Sequence, residues 1–165
     1  MTQPQTDSRA LRNALGRFAT GVAIVTAIDP DGHPIGLTVN SFSAVSLDPA
    51  LVLWCMDNNS NNLVAFQKAS HHVINILAAD QENLSNRFAT WPADRFAGLP
   101  WHPGAGGAPV FPGCCATFEV ANETAHAGGD HTLFIGRVER FAETPDIAPL
   151  LFHAGRYGRL AADPQ

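Results

Sequence analysis

Four stretches of the sequence carry side chains that could bind or position a ligand. The longest, residues 36–49, alternates small hydroxyl and amide side chains with apolar ones. At a strand end, such a stretch exposes backbone N–H and C=O groups along one edge. A planar heteroaromatic ligand with imide-like edges could pair with those groups. The same composition is more often that of an ordinary strand-to-loop junction with its polar faces in water, so both interpretations stay open.

The second stretch is a run of six polar residues, Asp57 to Asn62, directly before an apolar helical pattern. The N-terminus of a helix presents free N–H groups and a partial positive charge, which together attract phosphate. Simple helix capping within a solvated turn is the alternative, and by itself it is the commoner one.

A histidine and a tyrosine define the remaining two stretches. His131 follows a turn that contains Gly128 and Gly129 and begins a strand, a position that often faces a cleft. A histidine there can also serve only the hydrogen bonding of the turn. Tyr157, the single tyrosine, follows Arg156 near the end of the sequence and suits either an exposed stacking platform or a packed lid.

Several well-known catalytic and metal-binding motifs are absent. The sequence contains no G-x-S-x-G nucleophile motif, no phosphate loop, no G-x-G-x-x-G, no C-x-x-C and no H-E-x-x-H. The pairs His71-His72 and Cys114-Cys115 fall in predicted strands, where neighbours point to opposite faces and cannot readily hold one metal ion. We therefore predict no metal site, and we expect Cys55 to pack as a small apolar residue.

Composition limits the class of protein further. The 165 residues predict one domain spanning 1–165, with residues 1–8 flexible. A net charge of -5, with Lys68 as the only lysine and nine scattered arginines, argues against nucleic-acid binding. Apolar runs are too short to cross a membrane. The polar N-terminal residues lack an apolar signal core, so we expect a cytoplasmic protein, and three cysteines do not form a disulfide framework.

The elements that must position these residues are mostly short strands. Residues 8–18 predict a helix capped by Asp7 or Ser8, Ser60 is expected to cap a short helix through Lys68, and Asp80 a third helix. Residues 91–113, with five prolines and five glycines, predict a long loop. Buried or half-buried strands are predicted at 22–28, 35–39, 51–56, 72–77, 114–121 and 132–141. This pattern favours an antiparallel barrel with helices over its ends.

Taken together, five segments resemble the flavin reductase family, which has the FMN-binding split-barrel fold. Their order and spacing are preserved from about Leu11 to Leu160. The segments are LRNALGRFATGVAIVTA (11–27), GLTVNSFSAVSLDPALVLWC (36–55), HVINILAADQENLSNRFA (72–89), GDHTLFIGRVE (129–139) and PLLFHAGRYGRL (149–160). The resemblance implies a mainly β protein, an antiparallel split β-barrel with short flanking helices.

The resemblance also implies a set of site residues. His131 matches a histidine that lies beside the nicotinamide and flavin rings in similar reductases. The flavin-binding positions that it implies are Thr38, Val39, Asn40 and Ser41 along the ring and ribityl chain; Ala44, Val45 and Ser46 in the following loop; Asn59, Ser60 and Asn61 at the phosphate; Phe88 and Ala89 at a helix end; and Arg156 and Tyr157 at the border of the pocket.

One position departs from the pattern of the family. Many relatives carry a basic residue in the turn where this sequence has Asn58-Asn59. The phosphate is then left to hydroxyls, amides and backbone N–H groups, unless another cation such as Arg17 substitutes.

The implied reaction is hydride transfer from NADH or NADPH to FMN or FAD. The two cofactors supply the reactive atoms while the protein supplies position and electrostatics, so the absence of a nucleophile or a carboxylate pair is expected. The resemblance further implies a homodimer with flavin sites near the subunit interface. It also implies a separate flavin-dependent monooxygenase that receives reduced flavin by diffusion.

Three other interpretations stay open at this stage. A flavin-dependent oxidase of the pyridoxamine-phosphate type needs a basic phosphate clamp, which one lysine and scattered arginines disfavour. A non-catalytic flavin- or haem-binding carrier or sensor would use the same fold, because fold does not fix function. In a purely structural protein, the polar segments 36–46 and 57–62 would be solvated loops.

Overall fold

The structure, a computed structural model, describes residues 7–90 and 94–161. Residues 1–6 of the segment predicted to be flexible, and residues 91–93 of the predicted loop, lie outside the described residues. The helices are α1 (Ser8–Leu15), α2 (Leu63–Lys68) and α3 (Glu82–Ala89), with a 3-10 turn at Ala105–Gly107. The strands are β1 (Thr20–Gly21), β2 (Ala23–Ile28), β3 (Pro34–Val39), β4 (Ser43–Leu47), β5 (Ala50–Asp57), β6 (His71–Ile76), β7 (His102–Pro103), β8 (Pro109–Val110), β9 (Ala116–Gly128), β10 (His131–Glu143), β11 (Leu151–His153) and β12 (Arg156–Gly158).

The main sheet has seven antiparallel strands in the order β3-β2-β6-β9-β10-β5-β4. Its two edge strands, β3 and β4, are consecutive in the chain and joined only by residues 40–42. The four chain steps from Val39 to Ser43 span at most about 14 Å, whereas six strand spacings of a flat sheet total about 29 Å. The sheet must therefore curl until its edges approach each other. The antiparallel barrel class is confirmed, and the barrel stays open along what we call the seam, between β3 and β4.

Strand β2 separates two hydrophobic cores because its residues are buried on both faces. Its alternate side chains Ala23, Val25 and Ala27 face the barrel interior. Val22 and Ile24 instead pack in a second core under α3. The β-branched run 22–28 is thus a buried strand, as predicted.

Four rings fill the interior core. Trp54 stacks on Phe134, with centroids 4.4 Å apart, and contacts Phe66 and His72 edge-on at 5.3 Å. Burial lowers the pKa of His72 to about 4, so the imidazole is neutral near pH 7, and its Nε2 lies 3.0 Å from the carbonyl oxygen of Phe66. His71 points outward and pairs with Glu139, which confirms that the two neighbouring histidines face opposite sides.

The helix boundaries correct several predictions. Asp7 caps α1 as expected, since its Oδ1 accepts from the N–H groups of Arg9 and Ala10. The helix ends at Leu15 rather than at Phe18 because Arg17 and Phe18 tighten into i→i+3 bonds.

Ser60 and Asp80 do not occupy the predicted cap positions. The helices begin later in the chain, with Asn62 and Gln81 at the cap positions, and neither donates or accepts a side-chain capping bond. The Ser60 hydroxyl turns back within its own turn, 3.4 Å from the N–H of Asn62.

Six strands, β1, β4, β7, β8, β11 and β12, and the full lengths of β9 and β10 were missed from the sequence. β9 and β10 each run for thirteen residues and form a long hairpin that extends past the predicted strand at 114–121. The segment 43–47 is strand β4, held by pairing with β5 despite its small polar residues. Part of the predicted loop 91–113 is ordered as β7, the 3-10 turn and β8. Among the described residues, no helix is long and apolar enough to cross a membrane.

Candidate functional site

Three cavities follow strand β3 along the seam and share lining residues. The cavity beside Arg95, which we call the Arg95 cavity, has a volume of about 320 Å³. The central cavity, which lies between the other two, has a volume of about 210 Å³. The α1 cavity, which lies beside helix α1, has a volume of about 590 Å³. Thr38 and Ala89 line both the Arg95 cavity and the central cavity. Asn40 and Phe152 line both the central cavity and the α1 cavity. The three cavities are therefore neighbours in a row, and we call this row the β3 groove.

The turn between β5 and α2 closes one end of the groove. The Oδ1 of Asp57 accepts from the backbone N–H and the side-chain Nδ2 of Asn59, at 2.8 and 3.0 Å. Asn58 ties this turn to the β9–β10 turn: its Oδ1 accepts from the Thr132 hydroxyl at 2.8 Å, and its Nδ2 donates to the carbonyl of Gly129. Asn59 and Ser60 then line the Arg95 cavity, while the third predicted phosphate residue, Asn61, is exposed outside it.

Arg95 brings a positive charge to this end of the groove. Its guanidinium lines the cavity together with Ser60 and donates from Nη1 to the carbonyl of Gly36 at 2.6 Å. Partial burial lowers the pKa of Arg95, but a guanidinium stays protonated in proteins. Arg17, the sequence candidate for this charge, lies instead in the α1 cavity at the other end.

Arg95 was missed because residues 91–113 show no hydrophobic periodicity that would orient their side chains. The available signal was its type: Arg95 is the only arginine in that segment. A lone cation in a loop whose path is unknown can lie anywhere on the surface, and only the fold places it beside Ser60.

The middle of the groove has rigid walls. Thr38 donates its hydroxyl to the carbonyl of Ser85 in α3 at 2.7 Å. The Tyr157 hydroxyl lies 2.8 Å from Ser85 Oγ and donates to Asn86 Oδ1 at 3.1 Å. Strand β3, helix α3 and strand β12 are thereby held together around Val39, Asn40 and Ala89, three of the predicted flavin residues.

The structure also fixes the close packing of Phe88, another predicted flavin residue. Its ring is almost fully buried, at 1% exposure, and lies directly under β3 at Gly36. A Cβ added at Gly36 would come within 2.9 Å of that ring. Only glycine therefore lets β3 lie this close to α3, and this approach shapes the floor of the Arg95 cavity.

Several predicted flavin residues do not line the groove. The Ser41 hydroxyl accepts from the Cys55 N–H at 2.9 Å and donates to the carbonyl of the same residue, so it pairs with β5 at the seam. Ala44, Val45 and Ser46 lie on β4, across the seam. Arg156 is exposed on β12, and its neighbour Gly155 lines the α1 cavity.

His131 lies beside the Arg95 end. It pairs with Asp57 in the β10–β5 ladder, and residues directly opposite each other in an antiparallel pair project to the same face. The imidazole is half-exposed, with Nδ1 2.8 Å from Asp130 Oδ1. This hydrogen bond lowers the pKa of Asp130 and fixes the ring orientation.

Of the three cysteines, Cys114 is buried in the second core, whereas Cys55 and Cys115 are half-buried. Burial raises the pKa of each thiol, that of Cys114 to about 12. Thiols that stay protonated are poor nucleophiles and poor metal ligands.

Comparisons with known proteins show the family to which the chain belongs. Residues 15–161 match the family described as flavin reductase like domain. An FMN reductase (NADH) from Agrobacterium fabrum is 49% identical over 155 residues, which cover 94% of this chain and 87% of the relative. The reductase subunit of a flavin-dependent monooxygenase from Rhodococcus jostii is 39% identical, covering 95% of this chain and 80% of the relative.

A solved structure is similar over the whole chain. It is an NADH:FAD oxidoreductase from Streptomyces globisporus in complex with NAD and FAD fragments, with a TM-score of 0.92 and 34% identity. The match covers 100% of this chain and 99% of that one. Two other similar proteins are longer, and the chain spans about half of each, 50% and 52%.

Proposed function

The chain belongs to the family of flavin reductase like domains, and on that premise we propose that the β3 groove is its flavin site. The chain is a flavin reductase: it transfers a hydride from reduced nicotinamide dinucleotide to FMN or FAD. The reduced flavin then serves a separate monooxygenase. The observation that carries the proposal is that Arg95, Asn59 and Ser60 line the same cavity, at one end of a groove whose middle is formed by β3.

The residues of the groove fit a flavin mononucleotide in their chemistry. A phosphate monoester needs a cation and hydrogen-bond donors, which Arg95, Asn59 and Ser60 supply together. A flat ring system needs apolar walls, which Val39, Ala89 and Phe152 provide. Because β3 is an edge strand, alternate N–H and C=O groups along it are unpaired in the ladder and can meet the polar edge of the ring.

The protein contributes position and electrostatics to the reaction. Flavin, when bound, supplies the ring that accepts the hydride. The walls tied by Thr38, Ser85 and Tyr157 hold the ring plane and exclude water from one side. Such orientation lowers a barrier by up to about 7–11 kcal/mol in ideal cases. The backbone N–H groups of Val39 and Asn40, which line the central cavity, are proposed to stabilise negative charge on the polar edge of the ring.

His131 is proposed to place the nicotinamide. Its imidazole stands at the Arg95 end, on the same face as Asp57, so it approaches the stacked rings from the phosphate side. The hydrogen bond to Asp130 presents one edge of the imidazole toward the ligand. No proton transfer by this group is needed, because a hydride carries both electrons.

A second copy of the chain is proposed to cover the β4 edge. Leu47 is 96% exposed, Val45 is also exposed on the same strand, and Phe141 is 68% exposed on β10. An apolar surface at an open strand edge favours a symmetric interface. Because β4 lies across the seam from β3, such an interface would bring the partner subunit close to the groove.

We expect the protein in the cytoplasm. Its three cysteines are unpaired in the structure, which suits a reducing compartment. The reaction also consumes reduced nicotinamide dinucleotide.

The function is tested by NADH oxidation with purified protein in the presence of FMN, FAD or no flavin, followed by the loss of NADH absorbance. We expect turnover that depends on added flavin. Folded protein that retains flavin but oxidises neither NADH nor NADPH would instead be a carrier or sensor, and would contradict the proposal.

A further inference from the structure

The largest cavity of the groove, between α1 and the β11–β12 turn, contains two arginines that the flavin site does not use. Arg12 and Arg17 both line the α1 cavity. Among the residues that the structure describes, no carboxylate forms an ion pair with either guanidinium. Two exposed cations therefore face the end of the groove opposite Arg95.

The two arginine side chains are not needed to cap the C-terminal end of α1 and are available to a ligand. The carbonyl oxygens at this end already accept backbone hydrogen bonds: those of Arg12, Leu15 and Gly16 accept from the N–H groups of Gly16, Phe18 and Ala154. The negative end of the helix dipole is thus capped.

Two further features of the cavity indicate a nucleotide. Phe18 is 78% exposed beside the two guanidiniums, and an exposed aromatic ring next to cations is a surface on which a base can stack. The Thr20 hydroxyl also lines the cavity; it is buried and has no hydrogen-bond partner among the described residues. An unpaired buried hydroxyl is costly unless a ligand or a water satisfies it.

From these features we propose that the α1 cavity binds the adenosine diphosphate half of the nicotinamide dinucleotide. Arg12 and Arg17 hold the pyrophosphate, and Phe18 stacks on the adenine. The cavity shares Asn40 and Phe152 with the central cavity, so a dinucleotide held there can place its nicotinamide over a ring bound along β3. This inference rests on the proposed function and assigns the two ends of the groove to different ligands.

The number of cations at each end favours this assignment when FMN is the acceptor. A pyrophosphate has two phosphorus centres, and the two guanidiniums can contact one each. The Arg95 end has a single guanidinium, with a hydroxyl and an amide and beside the Asp57 carboxylate, which fits one phosphate group rather than two. FMN has only that one phosphate, so Arg12 and Arg17 are left for the dinucleotide.

The test uses the double variant Arg12→Gln, Arg17→Gln of the full chain. Its first readout is calorimetric binding of ADP-ribose to flavin-free protein, which needs no turnover. Each charge-assisted contact contributes about 1.5–3 kcal/mol, or roughly tenfold to a hundredfold in affinity. We expect at least a tenfold weaker affinity for ADP-ribose, with the affinity for FMN unchanged.

The second readout compares NADH with reduced nicotinamide mononucleotide, which lacks the adenylate half. In the double variant we expect the KM for NADH to rise at least tenfold while the KM for the mononucleotide stays within twofold. Arg9→Gln is the matched control, because Arg9 lies on α1 but does not line the cavity. It should change neither value, and thermal melting should show that all variants fold.

Unchanged ADP-ribose affinity and an unchanged KM for NADH in the folded double variant would overturn the inference. A shift of oligomeric state with unchanged ADP-ribose binding would overturn it too, and would assign this face to a second copy. Flavin-dependent NADH oxidation by the unaltered protein would stand in either case. Failure of this inference is thereby distinguishable from failure of the proposed function.

Discussion

The interior of the barrel and its seam belong to the same sheet but differ in whether their backbone and side-chain groups are already paired or remain unpaired. Around Trp54, neighbouring strands pair on both sides, and four rings are completely or almost completely buried. Along β3 and β4 the sheet ends, and one edge of each strand lacks a partner in the ladder. We infer that one sheet divides its roles, with stability resting on the interior and ligand binding on the seam. Five substitutions or changes of condition would test that division, here in order of decreasing expected effect.

Trp54→Ala should destabilise the interior core without changing ligand binding at the seam. Loss of a fully buried tryptophan costs about 3–5 kcal/mol of unfolding free energy, measured by urea denaturation. Protein that remains folded should bind FMN with an affinity within twofold of the original. Trp101→Ala, at a partly exposed site, is the control and should cost less than about 1 kcal/mol. Normal stability with loss of FMN binding would contradict the division.

A fall in pH should lower the unfolding free energy through His72 in the interior core before it changes the groups at the seam. Burial depresses the pKa of His72 from 6.5 to about 4, so between these values the unfolded chain binds more protons than the folded one. Stability is therefore full above pH 6.5 and falls as the pH drops toward 4, by about 3 kcal/mol at most from this group.

The measurement for His72 is the unfolding free energy at several pH values for the original chain and His72→Gln. The glutamine can keep a donor to the Phe66 carbonyl without titrating. We expect the variant to lose most of the dependence between pH 6.5 and 4. An identical slope in both proteins would show that other groups cause it.

Arg95→Ala should weaken the phosphate end of the seam selectively. A charge-assisted phosphate contact contributes about 1.5–3 kcal/mol, so the FMN dissociation constant should rise roughly tenfold to a hundredfold. Riboflavin, which lacks the phosphate, should bind as before, and Arg95→Lys should recover part of the loss. Equal weakening of FMN and riboflavin would mean that Arg95 acts only through its bond to Gly36.

His131→Ala should affect the nicotinamide more than the flavin. We expect a raised KM for NADH and a kcat lower by about tenfold, in line with the loss of one positioning contact. The dissociation constant of FMN should change by less than twofold. Steady-state constants that match the original protein would remove His131 from the site.

Ser60→Ala should produce the smallest change, a loss of about 1 kcal/mol in FMN binding or roughly fivefold in affinity. Riboflavin again serves as the reference ligand, measured by quenching of its fluorescence. Ser41→Ala is the contrast: its hydroxyl pairs with the Cys55 backbone, so it should lower stability and leave the ratio of FMN to riboflavin affinity unchanged. The phosphate assignment fails if Ser60→Ala leaves that ratio unchanged.

The sequence predicted the strands of the interior well because their β-branched, apolar runs have one physical explanation. The run 22–28 is buried on both faces, and its one polar residue, Thr26, is β-branched and donates its hydroxyl to the Pro109 carbonyl. Strand β4 was missed because Ser43 to Leu47 pair with β5 through the backbone. Backbone pairing does not require a particular side-chain composition, so the sequence gives little signal for such a strand. The same reason explains the underestimated length of β9.

Residues of the candidate site could be grouped from the sequence only where they are neighbours in one turn or one strand. Asn59 and Ser60 share a turn, and Thr38 to Asn40 share a strand, so their proximity to a common ligand could be proposed from the segments themselves. The meeting of Arg95 with Ser60 depends on the path of a loop without periodicity. The separation of Arg17 from that turn depends on where α1 ends. Neither follows from local propensity.

We propose that flavin lies along β3 with its phosphate between Ser60 and Arg95. A crystal structure of the FMN complex would show both positions. We predict phosphate oxygens within hydrogen-bond distance of the Ser60 hydroxyl and the Arg95 guanidinium, and the ring between Thr38 and Tyr157. Phosphate bound instead by Arg12 and Arg17, or a flavin outside the β3 groove, would contradict the account.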